Sequence, residues 1–105
     1  MKASKKQSHQ SNFWRKFLRL TRGRVGVLRA LEVIREEEKD PRFRKLVNDI
    51  HAALQGGATL SEAVGRFPGE FSPSVRELVK TAEKTGAWDE ILLEIADGLE
   101  DRTFG

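Results

Sequence analysis

An all-α fold, arranged as a six-helix antiparallel bundle, is predicted by three features of the 105-residue sequence. Apolar residues recur at helical spacing through most of the chain, and helix-capping signatures punctuate those runs. No stretch alternates apolar and polar residues with β-branched enrichment, so no strand is predicted. A chain of this length holds one domain around one hydrophobic core.

The elements follow in order. Residues 1–11 are polar and basic without large apolar side chains, which predicts a disordered tail carrying a solvated His9. The folded domain is expected over residues 12–102, with a short disordered end at 103–105. Asn12 reads as an N-cap, and Phe13, Trp14, Phe17, Leu18 and Thr21 form one helical face opposite Arg15, Lys16, Arg19 and Arg22, with Gly23 as the stop. A second helix is predicted from about Val25 to Lys39 with Val27, Leu28, Leu31 and Ile34 inward. Asp40-Pro41 supplies an N-cap followed by an N1 proline, whose missing N–H has no helical partner to lose. The third helix carries Phe43, Leu46, Val47, Ile50 and Leu54 to Gly56-Gly57. Thr59-Leu-Ser-Glu62 is a capping box opening a short fourth helix to Arg66. Ser72-Pro73 repeats the cap-plus-proline logic for a fifth, with Val75, Leu78, Val79 and Ala82 inward and Gly86 at its left-handed end. Trp88, Ile91, Leu92, Ile95 and Leu99 stripe a sixth helix to about Arg102. Links this short between helices favour antiparallel neighbours.

Charge is distributed unevenly. Nine of the 19 Lys and Arg precede the first carboxylate, Glu32, and the other ten accompany all 16 acids. A +9 front is thus joined to a −6 body, which calls for an anionic counterpart: nucleic acid, a lipid surface or an acidic protein face. Asp89, Glu90, Glu94, Asp97, Glu100 and Asp101 form the densest acidic run. Like charges one turn apart destabilise a helix by a few tenths of a kcal/mol, so the basic front, within the chain or on a second copy, is the expected offset. With no cysteine, disulfides and thiolate metal sites are excluded. No apolar run reaches the roughly 18–20 residues that cross a bilayer, and the start of the chain lacks the apolar segment of a secretory signal.

Catalytic signatures are missing: there is no phosphate-cradling glycine loop, no His-Glu-x-x-His and no Gly-x-Ser-x-Gly. His51, beside Ile50 in the third helix, reads as a boundary or surface residue. An enzyme is not expected. Phe13, Trp14 and Phe17, interleaved with bases, resemble a single-strand stacking platform, but their common helical face assigns them to the core and makes nucleic acid an unfavoured partner. The alternative to protein docking is an adaptor or regulator binding an anionic membrane surface or nucleic acid through the basic front.

Several segments together carry a family resemblance: Phe13-Trp-Arg-Lys-Phe-Leu, Val27-Leu-Arg-Ala-Leu-Glu-Val-Ile, Gly56-Gly-Ala-Thr-Leu-Ser-Glu-Ala, Phe67-Pro to Phe71, Ala82-Glu-Lys-Thr-Gly86 and Trp88-Asp-Glu-Ile-Leu. Over roughly Phe13 to Glu100 the chain resembles the cytoplasmic domain of the type II secretion system F family, shared with the inner-membrane platform protein of type IV pili. The resemblance implies a six-helix bundle and a non-catalytic scaffold that contacts the assembly ATPase and other inner-membrane platform proteins. The docking residues would be Arg15, Lys16, Arg19, Arg22 and Arg24 with Glu94, Asp97 and Asp101. No organic cofactor is implied; a calcium ion at a homodimer contact is, and its motif position here is Glu83. Family members carry a second copy of the domain and three transmembrane helices, which these residues do not include, so attachment to the cytoplasmic face of the inner membrane is expected to run through partners. Arg22-Gly-Arg-Val-Gly26 also departs from the family's usual small residue and proline between the first two helices, adding positive charge.

Overall fold

The computed structural model describes residues 5–100, with side chains described for residues 9–98. Six helices account for nearly all of it: α1 (Lys5–Arg22), α2 (Val27–Glu37), α3 (Pro41–Gln55), α4 (Leu60–Gly65), α5 (Pro73–Thr85) and α6 (Trp88–Glu100). No strand occurs among the described residues. Each helix packs on its neighbours in sequence, and the ring closes where α1 lies along α6, the most extensive helix pair in the molecule.

Local chemistry sets most boundaries. The Asp40 carboxylate accepts from the N–H groups of Arg42 (2.9 Å) and Phe43 (3.3 Å), with Pro41 behind it. At α4 the capping box is complete: the Glu62 N–H donates to Thr59 Oγ1 (3.2 Å) and the Thr59 N–H donates to Glu62 Oε1 (2.8 Å). The Val75 N–H donates to Ser72 Oγ at 3.3 Å to open α5, which ends on Gly86 in the left-handed region (φ 79°).

The core is centred on α1. Phe13, Trp14, Phe17 and Leu18 are buried, and Phe13 meets Phe43 (6.0 Å between ring centroids) and Phe71 (6.5 Å), while Trp14 meets Phe71 edge-on at 6.1 Å. These edge-on and tilted contacts place ring edges against ring faces, as the aromatic quadrupole favours. Ala30, Leu31 and Ile34 of α2, Val47 and Ile50 of α3, Val64 of α4, Val75 and Val79 of α5, and Leu92, Ile95 and Ala96 of α6 complete it.

The structure corrects several expectations. Helix α1 begins at Lys5, so residues 5–11 are not a disordered tail and Asn12 lies mid-helix rather than at a cap; residues 1–4 and 101–105, including the expected end at 103–105, lie outside the described residues. Gln10 and Ser11 are buried because their polar atoms find partners: the Gln10 side-chain amide donates to the Glu70 carbonyl, and Ser11 Oγ to the Ala96 carbonyl at 3.4 Å. Apolar periodicity is blind to residues buried in this way. His9, likewise on α1, is half-buried, 3.7 Å from the Asp40 carboxylate and tilted against Phe43. Within α2, which is shorter at both ends than expected, Val27 and Leu28 are exposed (38% and 37%), and Ala30 takes the inward place beside Leu31 and Ile34.

His51 is buried, at 7% exposure, and its Nε2 lies 3.0 Å from Glu32 Oε2, joining α3 to α2. A carboxylate only accepts, so Nε2 carries the proton of this bond. Finally, the turn after α1 is a Schellman motif: the Val25 N–H reaches the Leu20 carbonyl (3.0 Å) and the Arg24 N–H the Thr21 carbonyl (3.1 Å). Its left-handed residue is Arg24 (φ 65°), one place after Gly23, the predicted stop.

Two predictions follow from this geometry. A side chain in the left-handed region costs roughly 1–2 kcal/mol, partly offset in a glycine variant by the looser unfolded chain. Arg24→Gly should therefore stabilise the domain by about 0.5–1 kcal/mol, read as a higher urea midpoint with an unchanged m-value. The Glu32 carboxyl is held below 4.5 by the hydrogen bond from His51 and then by that from Arg29; Glu62 is held below 4.5 by the Thr59 N–H and then by its hydroxyl. Carboxyls depressed by folding contribute stability that is complete above their unfolded pKa and is lost as pH falls through the folded one. The urea midpoint should thus drop on acidification below about pH 4.5. An E32Q/E62Q variant should start lower at pH 7 and lose less on the way down.

Candidate protein-docking surface

The basic face of α1 and the acidic face of α6 meet in the structure. Arg15 donates to Asp97 Oδ1 at 3.0 Å, and Arg22 Nε lies 3.6 Å from Asp89 Oδ2. On the other flank of α1, Lys16 Nζ is 3.4 Å from Glu37 Oε1 at the end of α2. The front segment therefore answers part of its own chain's acidic excess. Pairs as solvent-accessible as these contribute only about 0–1 kcal/mol each; their effect is to fix the register of the two longest-packed helices.

Of the residues expected to dock partners, Arg15, Lys16, Arg22 and Asp97 are thus engaged with charges of the same chain. Arg19, Arg24 and Glu94 are exposed and make no ion pair among the described residues. Asp101 lies outside the described residues. Glu90, also exposed and without an ion pair among the described residues, joins Glu94 on the outer side of α6. Leu93, at 40% exposure, belongs to the same face. The sequence does contain a signal for it: Leu93 falls outside the α6 apolar stripe, alone among acids.

Glu83 has a definite local role. Its Oε2 accepts from the Ser61 N–H (2.9 Å) and its Oε1 from the Ser61 hydroxyl (2.6 Å). The carboxylate of α5 thereby caps the first turn of α4, satisfying an N–H that has no partner within the helix and placing negative charge at its positive end. The two segments most specific to the resemblance, Thr59-Leu-Ser-Glu62 and Ala82-Glu83, are two halves of one hydrogen-bonded contact. Calcium takes six to eight oxygen ligands, whereas both Glu83 oxygens already accept from Ser61 and no cluster of three or more metal-binding side chains occurs among the described residues. Within one copy these residues do not fit a calcium ion.

A hydrogen bond to a charged group is worth about 1.5–3 kcal/mol. Glu83→Gln and Ser61→Ala should each cost roughly that much in urea unfolding, and because they delete the same contact the double variant should cost clearly less than the sum. Additive losses would dissociate the two residues.

Residues 13–104 match the model of the family described as type II secretion system (T2SS), protein F. Type II secretion system protein F of Vibrio cholerae serotype O1 is 33% identical over 72 residues, covering 69% of this chain and 18% of the relative. The protein of the same name from Xanthomonas campestris pv. campestris is 35% identical over 72 residues, with the same coverage. Type IV pilus assembly protein TapC of Aeromonas hydrophila is 31% identical over 72 residues, 69% of this chain and 17% of its own length. The chain therefore spans under a fifth of each of these relatives. No helix of the described residues is long and apolar enough to cross a membrane. With the family model covering nearly the whole bundle, the chain belongs to the type II secretion system protein F family.

Proposed function

We propose that this domain is a non-catalytic docking module of a type II secretion or type IV pilus assembly platform, contacting the assembly ATPase and inner-membrane components through charged surface residues. The observation that carries this reading is the family match over residues 13–104. The structure supports it in two ways. His51, the histidine nearest the core, is buried and bonded to Glu32 rather than turned toward an open site. Arg24 meanwhile stays exposed on the turn that leads into the exposed, apolar Val27 and Leu28, a mixture of charge and apolar area suited to a protein partner. A nucleic-acid role through base stacking is disfavoured, because Phe13, Trp14 and Phe17 are all buried in the core.

The test is co-purification with the cognate assembly ATPase. Association is expected at low salt and should weaken as salt rises. Arg24→Glu, on the exposed turn, should reduce affinity on the order of threefold to tenfold, as reversal of a rim charge does, while the circular dichroism melt stays cooperative. Absence of association at low salt would refute the docking reading.

A further inference from the structure

Helix α5 carries a second basic surface, separate from the α1 front. Arg76, Lys80 and Lys84 stand one turn apart in a single exposed row, each about 6 Å along the axis from the last. The Arg76 side chain lies across onto α4: its Nε is 2.8 Å from where a Cβ on Gly65 would stand, so the glycine leaves it room. Arg66, exposed and next in the chain to Gly65, extends the row at that end. None of these four cations makes an ion pair among the described residues. The carboxylates nearest in sequence do not answer them. Glu83 is bonded to Ser61 and Glu62 to Thr59, while Glu77 borders the row without an ion pair. Lys84 gains from the dipole at the end of α5, but like charges one turn apart weaken a helix. The bases of α1 meet acids of α6; the row on α5 meets none among the described residues.

We infer that this row is a docking strip for an acidic helix of another protein. The bundle itself shows how such a contact is made, since Arg15 and Arg22 of α1 meet Asp97 and Asp89 of α6. Carboxylates at i, i+4 and i+8 on a partner helix repeat at the interval of Arg76, Lys80 and Lys84, so each cation meets one acid, with Arg66 at the end of the row. The strip is narrow and polar. Val75, Val79 and Ala82 are buried, which leaves the row no apolar side chain to insert into lipid and no ring on which a base could stack. Glu77 runs beside it, Glu62 stands on α4, and α6, which also packs on α5, presents Glu90 and Glu94. A flat anionic bilayer or a DNA duplex would meet those carboxylates along with the cations. A helix about 10–12 Å across need cover only the strip. The inference shares with the platform reading the premise that this domain binds proteins, and it uses neither Arg24 nor α1.

The probe is a labelled helical peptide of about 20 residues with Glu at i, i+4, i+8 and i+12 on one face. It is titrated with the whole chain at about 0.1 M salt, where charges beyond about 10 Å are screened, and followed by fluorescence anisotropy. Solvent-accessible ion pairs are individually weak, so dissociation is expected at roughly 0.1–1 mM. A peptide of the same composition with its glutamates spread around the helix should bind at least about threefold more weakly. Lys80→Glu should weaken binding about threefold to tenfold, and K80E/K84E about tenfold or more. Lys39→Glu makes the same change of net charge in the α2–α3 link and should alter binding less than about twofold. A peptide with lysines in place of the glutamates should reverse the preference, binding K80E/K84E more tightly than the wild-type chain. Circular dichroism melts establish that each variant is folded. No binding of the acidic peptide up to about 1 mM, equal losses in Lys39→Glu and Lys80→Glu, or no reversal with the lysine peptide would each overturn the proposal. Phosphatidylglycerol vesicles or a DNA duplex that bind more tightly than the peptide, in a manner lost in Lys80→Glu, would overturn it in favour of that surface. Failure of the peptide while the assembly ATPase still co-purifies overturns this strip alone; peptide binding without ATPase association overturns the platform reading alone.

Discussion

The aromatic face of α1 is the constraint on which the other helices depend. Phe13, Trp14 and Phe17 are buried together, and their rings reach Phe43 at the start of α3 and Phe71 in the link before α5. Truncating a buried aromatic costs about 3–5 kcal/mol, a large part of the 5–15 kcal/mol that typically holds a domain together. Because the remaining helices pack in sequence order, α1 also closes the ring by lying along α6. The helix that carries the aromatic face therefore also joins the first and last elements of the chain, the contact with the greatest loop-closure entropy to overcome.

Polar contacts refine this apolar framework. Arg15–Asp97 and Arg22–Asp89 lie at the solvent margin and add little stability, but they distinguish one register of α1 on α6 from its neighbours. The Ser61–Glu83 contact acts differently. It supplies the shortest helix, α4, with a charge-assisted cap from α5, in addition to the Thr59–Glu62 box. A helix of six residues has too few internal hydrogen bonds to persist unaided, which gives a physical reason for both motif segments.

The same division separates structural charge from surface available to partners. Arg15, Lys16 and Arg22 hold the bundle's own acids, whereas Arg19, Arg24, Glu90 and Glu94 face outward without ion pairs among the described residues. The exposed Leu93 and the left-handed Arg24 both sit among them. Arg24 departs from what stability alone favours, a glycine at the left-handed position, and such backbone departures concentrate at functional surfaces.

By itself the sequence determined the helical class, the number of helices and the caps at Asp40, Thr59, Ser72 and Gly86, because these are encoded within a few residues by apolar spacing and by side chains that bond the nearest N–H groups. It also announced the family through its motif order, and it raised the possibility that the basic front offsets acids of the same chain. Only the tertiary structure decided which side chains those bases meet, that Ser61 and Glu83 are partners across 22 positions, and that His51 is a buried partner of Glu32 rather than a boundary residue. It also extended α1 back to Lys5 through Gln10 and Ser11, and it turned Val27 and Leu28 outward. These outcomes share one cause. Burial of a polar group depends on a partner distant in sequence, and exposure of an apolar one on whether a neighbouring helix happens to cover it, neither of which local periodicity contains.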